Sequence, residues 1–395
     1  MVPASTGGFV GIRAAISVRA CNSPTKNCIA VTTALLDRRT SQSIPERSRA
    51  WTRNAAPPRR GDSFMMRRMT PSSRPLDGQV ALVAGATRGA GRGIARALGE
   101  AGAVVYCTGR SVRGQPSPYR RSETIEETAD MITSGGGTAV AVRVDHTVEA
   151  EVQALVARIE RERGRLDVLV NSIAGEDPLM HQWGSFWKAD LTHADTIFRQ
   201  AIVSHIITAK HVAPLMIGVR RGLIVEVTEN DVMSAGGNPL TQTVKLALKG
   251  LALNMAPELY PHGVAAVAIT PGFLRSEAML ENHHVTEANW RDAGAKDKNF
   301  LESESPLFVG RAVAALAADP KLLERTGQLY SSWELARDYG FTDYDGRRPD
   351  WGALAIDWSG LPTSFVDIFR TGTRLQIGWL EAVARRTREF AAKIP

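Results

Sequence analysis

"LVAGATRGAGRGIARAL", Leu82 to Leu98, is the stretch whose reading decides the fold. It leaves a short apolar run, turns through Gly85, Gly89 and Gly91 in a G-x-x-x-G-x-G spacing, and continues with helical apolar periodicity. Glycine lets a chain turn this sharply, and the turn brings backbone N–H groups to the positive end of a helix, where a pyrophosphate is welcome. Such a spacing alone says little. Its place after a strand and before a helix, at the head of the first strand–helix–strand unit, gives it meaning.

Working outward, the run 79–85 is the first of seven. The others are AVVYCTG (103–109), TAVAVRV (138–144), LDVLVN (166–171), GLIVEVT (222–228), VAAVAIT (264–270) and GQLYSS (327–332). Most are separated by helical patterns such as EAEVQALVARIERERG. Nearly continuous apolar runs alternating with helices imply strands buried on both faces. The expected fold class is therefore α/β, a Rossmann-type, doubly wound, parallel seven-stranded sheet with helices on both faces. Its ligand crevice should lie beyond the carboxyl ends of the strands. No internal repeat or second core is evident. The expected organisation is a tail over 1–74, one Rossmann domain over 75–345 and a helical extension over 346–395.

The net charge of +7 belongs to the tail. Residues 1–74 hold 13 basic and three acidic side chains, a surplus of +10, which leaves −3 for the other 321 residues. A folded part without a basic field argues against nucleic-acid binding there. The tail is rich in Arg, Ser and Pro and lacks apolar periodicity, so it is expected to be disordered. Its composition resembles an organellar transit peptide; the other reading is a start placed too early, ahead of Met65, Met66 and Met69. Cytoplasmic localisation is expected, with organellar import if the tail is genuine.

Two of the three cysteines, Cys21 and Cys28, lie in the tail, and Cys107 stands alone in a strand. Neither a disulfide framework nor a metal site is expected. No run approaches the roughly 18 to 20 apolar residues that span a bilayer. Leu375, Trp379, Val383 and Phe390 recur at roughly helical spacing opposite Arg385, Arg386 and Arg388. That stripe packs on the domain or a partner subunit, or lies on a membrane surface.

The second strand ends in CTGRSVRG. An NAD-binding chain usually carries an acid here for the ribose hydroxyls. Here stand Gly109, Arg110 and Ser111, with Arg88 near from the glycine turn. Guanidinium groups pair with a 2′-phosphate, so NADP is expected rather than NAD. Arg113, Arg120 and Arg121 are read as a solvated loop.

These segments together resemble the short-chain dehydrogenase/reductase family, from about Leu76 to Tyr344. AGATRGAG is similar to the family's T-G-x-x-x-G-x-G, with Ala84 for the threonine. In VRVDHT, Asp145 would face the adenine. LVNSIAG resembles the N-N-A-G stretch, with Asn171 retained, Ser172 second and Ile173 inserted. ITPGFLRSEAML resembles the P-G turn, where Pro271 and Gly272 would border the nicotinamide and Ser276 replaces a common threonine. The resemblance implies cofactor contacts at Gly85, Thr87, Arg88, Gly89, Ala90, Gly91, Arg110, Ser111, Asp145, Asn171, Lys245, Pro271 and Gly272. It also implies a small-molecule substrate and a homo-oligomer.

The chemistry it implies needs Ser, Tyr and Lys. Tyrosine passes a proton to or from the substrate oxygen, its pKa brought down by the lysine ammonium. In PLTQTVKLALKG, Lys245 is present, but the tyrosine position four residues earlier is Thr241. The serine position is Thr228, or Glu229 if the register slips by one. The helix asparagine maps to Ala201, with Ser204 and His205 close by. An aliphatic hydroxyl does not ionise near neutral pH, and loss of a positioned acid costs about 10²- to 10⁴-fold in rate. Two readings stay open: an oxidoreductase with a non-standard proton donor, or an inactive NADP-binding sensor or scaffold. Tyr339, Tyr344, His205 and Glu229 are the alternative donors. Trp183, Phe186 and Trp187 either wall an apolar pocket or anchor a loop, and 275–300 lies where the family carries a substrate lid. His283 and His284, adjacent on a helix, point apart and make a poor metal pair.

Overall fold

The structure, a computed structural model, describes residues 74–115, 121–174, 179, 186–229 and 239–354. The tail up to Ser73, Tyr119, Arg120, Trp183, the side chain of Phe186 and the stripe from Leu375 to Phe390 lie outside the described residues.

Each apolar run contains a strand. They are β1 (Val80–Ala84), β2 (Val104–Gly109), β3 (Thr138–Arg143), β4 (Val168–Asn171), β5 (Gly222–Val227), β6 (Val264–Thr270) and β7 (Leu329–Ser331). All pairings are parallel, in the order β3-β2-β1-β4-β5-β6-β7. The chain winds outward from β1 to β3, returns to β4 beside β1, and winds the other way. That reversal leaves a crevice between the carboxyl ends of β1 and β4, and the glycine turn opens into it.

The helices are α1 (Gly89–Glu100), α2 (Ile125–Ser134), α3 (Glu149–Arg163), α4 (Ala194–Phe198), α5 (Ser204–Gly218), α6 (Pro239–Leu259), α7 (Glu277–Asn282), α8 (Pro306–Ala318), α9 (Ser332–Tyr339) and α10 (Trp351–Leu354). Their ends follow local chemistry. Thr124 with Glu127 and Ser331 with Glu334 form reciprocal capping boxes at α2 and α9, and α3 stops at Gly164 in the left-handed region. Alternation along the strands feeds two cores. Val83, Val105 and Val225 join the layer containing Ile94 of α1 and Val313 of α8, whereas Leu82, Leu169 and Ile224 join the layer containing Ile159 of α3 and Val212 of α5. One helical run, Ala194–Gly218, is long and apolar enough to cross a bilayer by length and composition, which the sequence reading did not anticipate. It buries Ile197, His205 and Thr208.

Two backbones meet where α1 crosses α8. A Cβ at Gly93 would lie 1.9 Å from the carbonyl oxygen of Pro306, and one at Gly310 would lie 2.4 Å from that of Gly93. Gly93→Ala therefore has to push α8 off the sheet. Overpacking of this kind costs about 1–3 kcal/mol. The expected result is a lower urea midpoint with an unchanged slope; equal midpoints would show that the helices can separate freely.

Candidate active site

The glycine turn is built by close approach. Gly85 has φ +88°, and a Cβ there would sit 2.2 Å from the carbonyl oxygen of Ser172 in the loop after β4. A Cβ at Gly91 would sit 2.1 Å from the carbonyl oxygen of Gly85. Only a bare backbone packs this way, at the point where α1 begins. Arg88 precedes α1 with extended backbone, and its side chain does not cap the helix. Thr87 is buried and its carbonyl accepts from Arg92 Nε at 3.0 Å, which ties the turn to its own helix. Ala90 is half-buried beside it. This cradle fits a pyrophosphate by shape and dipole. The N–H of Gly89, however, donates to Oε2 of Glu277 at 2.8 Å.

At the far end of the crevice, Arg110 Nη1 lies 3.9 Å from Asp145 Oδ2. Asp145 accepts from the N–H and hydroxyl of Thr147 at 2.9 and 2.7 Å. Burial pushes its carboxyl up, but these bonds and the charges of Arg110 and Arg143 outweigh it and hold the group below the usual range. Ser111 is buried and its carbonyl accepts from Ile125 at the start of α2. Arg88 is held through Nε by Glu123 at 3.1 Å, while its Nη2 is buried with no partner among the described residues. Arg121 is not the solvated residue expected. It grips Glu123 and also Glu281 of α7, at 2.9 Å, and only a fifth of its side chain is exposed.

On the other side, the third and seventh residues of α6 are Thr241 and Lys245, one turn apart. Val244 and Leu248 of the same helix pack on Ile197 and on Ala201, the fully buried residue at the mapped asparagine position. Ala201 lies in a π turn, Arg199–Val203, that links α4 to α5; such bulges are frequent at functional sites. Lys245 is nearly buried, with Nζ 3.4 Å from Glu229 Oε1. Thr228 at the end of β5 is buried and its hydroxyl donates to the carbonyl of Lys245 at 2.9 Å, so that proton is committed to the helix.

Asn171, the last residue of β4, is fully buried; its Nδ2 donates to Glu226 Oε1 at 2.8 Å, and its Oδ1 has no partner among the described residues. His205 is equally buried. Its Nδ1 meets Glu226 Oε2 at 2.5 Å and its Nε2 meets the carbonyl of Ile173 at 3.0 Å. Because a carbonyl can only accept, Nε2 carries a hydrogen, and a second proton lies in the contact with Glu226. His205 thus props the loop after β4 instead of facing substrate. Nearby, His146 sits between the hydroxyls of Thr208 and Thr108, with its pKa pushed down to about 3 by burial and by the neighbouring His205. Glu226 went unremarked in the sequence, although one acid inside GLIVEVT, a run apolar on both faces, is the signal of a buried partner.

The Pro271–Gly272 turn leaves β6 half-buried. The N–H of Gly272 donates to Glu304 Oε2 at 2.9 Å, and Ser332 Oγ lies 2.5 Å from the same oxygen. Glu304 is fully buried; its Oε1 has no partner among the described residues, and burial pushes its pKa up to about 8. Its role was invisible in the sequence.

Of the alternative phenols, Tyr339 donates to Asp319, with burial and that bond holding its phenol well above the ordinary value. Tyr344 is half exposed, its pKa raised by burial and by Glu287. Trp187 is 72% exposed. Cys107 is buried and its thiol pushed up to about 12, so it is inert. Among the described residues no cluster of three or more His, Cys, Asp or Glu could hold a metal, and His283 instead lies against Phe300.

The family model described as short chain dehydrogenase matches residues 79–287. Dehydrogenase/reductase SDR family member 1 of Mus musculus is 37% identical over 278 residues, covering 69% of this chain and 85% of the relative. Oxidoreductase UcpA of Salmonella typhimurium is 30% identical over 259 residues, covering 62% and 89%. The crystal structure of a hydroxysteroid dehydrogenase from Escherichia coli matches with a TM-score of 0.52 at 24% identity, over 66% of this chain and 98% of that one. A glycine turn at the sheet's reversal point, a lysine one turn after Thr241 in α6 and a family match over 79–287 lead to one conclusion: the chain belongs to the short-chain dehydrogenase/reductase family.

Proposed function

We propose that the protein is an oxidoreductase that takes NADP(H) in preference to NAD(H) and interconverts a small apolar carbonyl compound and its alcohol, with Thr241 in the proton-donor position. The observation that carries this reading is the Gly85–Gly91 turn, where only bare backbone fits and α1 begins at the sheet's reversal point. The names of the relatives, an oxidoreductase and a dehydrogenase/reductase, support the reaction class. The arginines at the β2 end and the absence of an acid there support the phosphorylated cofactor.

Bound nicotinamide would supply or accept the hydride. Around it, Lys245 offers an ammonium to the ribose hydroxyls. Thr228 has given its proton to the Lys245 carbonyl, so towards substrate it offers only lone pairs. That suits an alcohol, which can donate, better than a carbonyl. Glu229 beside Lys245 is an acceptor at the same place. No aliphatic hydroxyl at Thr241 ionises near neutrality, so the proton has to reach the substrate through water or another side chain. We place the protein in the cytoplasm, as an oligomer of like chains.

Fluorescence titration tests the first step. NADPH should bind more tightly than NADH, and Lys245→Ala should weaken NADPH binding about tenfold or more, the worth of a hydrogen bond to a charged group. Equal affinity in the variant would remove Lys245 from the cofactor. A second reading, an inactive NADP-binding sensor or scaffold, is favoured by Thr241 itself. Turnover across a panel of ketones and alcohols separates the two.

A further inference from the structure

Helix α7 is pinned to the glycine turn by its own carboxylates. Glu277, its first residue, reaches the N–H of Gly89 at 2.8 Å through Oε2 and Nη1 of Arg92 at 3.3 Å through Oε1. One turn later, Glu281 takes both Nη atoms of Arg121, at 2.9 and 3.0 Å, and Arg121 shares Glu123 with Arg88. The two segments are also in van der Waals contact, since a Cβ at Gly89 would lie 3.7 Å from Cβ of Ser276. The anion at the first amide of α1 therefore comes from 188 residues further along the chain.

A carboxylate and a phosphate oxygen seek the same partners. One N–H hydrogen cannot serve both well, and two anions side by side repel each other. We propose that Glu277 is a built-in competitor for the dinucleotide's pyrophosphate at Gly89 and Arg92, so that loading the cofactor displaces Glu277 and unpins α7. This rests on the dinucleotide reading above. Glu277 thereby sets cofactor affinity, and it joins loading to movement of the segment that follows the Pro271–Gly272 turn. Glu281 is a second pin that touches no phosphate partner in the glycine turn.

The test uses the full chain, with NADPH titrated calorimetrically and hydrogen exchange followed at the amides of Ala278 to Asn282. Glu277→Gln keeps the shape and removes the charge, and it should bind NADPH about tenfold more tightly, with α7 exchanging fast before any nucleotide is added. In the wild type, NADPH or millimolar inorganic pyrophosphate should speed that exchange. Glu281→Gln should loosen α7 and tighten NADPH binding in the same direction but less than Glu277→Gln, since it frees the helix without removing the anion from Gly89. If Glu277→Gln lowers the folded fraction, Glu277→Asp, whose shorter arm withdraws the carboxylate from the amide, should show the same tightening. Unchanged or weaker binding in a folded Glu277 variant, with the wild type still binding NADPH, overturns the competition and leaves the dinucleotide reading standing. No binding of NADPH or NADH by any of these proteins overturns both.

Discussion

Thr241→Tyr should raise NADPH-dependent turnover of a small ketone by one to two orders of magnitude. A phenol at this position would project from α6 one turn before Lys245, whose ammonium is nearly buried and so acts with little screening. That neighbour favours the phenolate and brings the tyrosine pKa down towards the working range. A positioned acid of suitable pKa contributes about 10²- to 10⁴-fold. A gain at or below the bottom of that range is expected here, because Glu229 at 3.4 Å already draws on the Lys245 charge and Thr228 has no proton to give the substrate oxygen. The gain should appear in kcat with little change in NADPH affinity. Steady-state rates for wild type and variant check it. If cofactor and ketone both bind tightly and the rate does not rise, the missing phenol is not what limits the chemistry.

Stability should fall as pH rises from about 4.5 to about 8, and Glu304→Gln should remove most of that fall. Glu304 is fully buried and holds its proton up to about pH 8, whereas in the unfolded chain it loses it near pH 4.3. Burial is the main cause, and the nearby Asp343 adds to it against the opposing Gly272 and Ser332 hydrogen bonds and the Arg275 charge. Below the unfolded value both states are protonated and the group costs nothing. Between the two values the folded state binds the extra proton, so folding weakens by about 1.4 kcal/mol per pH unit. Above about pH 8 the loss is complete. Carboxylates such as Asp145 and Glu123, held below the usual range, contribute with the opposite sign and on the acid side, lost as pH falls through their folded values. The informative quantity is therefore the difference between wild type and Glu304→Gln in urea midpoints at pH 5, 6.5 and 8. Parallel curves would show that Glu304 ionises as freely in the fold as outside it.

The parts of this protein legible in its sequence are those written by local sterics and spacing. Seven short runs became seven parallel strands; β1, β4 and β6 are buried throughout, because a strand covered on both sides leaves no polar alternation to write, whereas the edge strands β3 and β7 are only partly covered. Gly85 and Gly91 announced a turn that no Cβ tolerates, and the interval from Thr241 to Lys245 is one helical turn in any context. The direction in which a polar side chain points was decided only in three dimensions. Asn171 met Glu226 across 55 residues, and Thr228 spent its hydrogen bond on a carbonyl 17 residues away. Glu277 met Gly89 across 188 residues, and Glu304 settled behind Gly272 across 32. Buried polar groups must find partners, and the chain's composition does not say which partner the fold will bring within 3 Å.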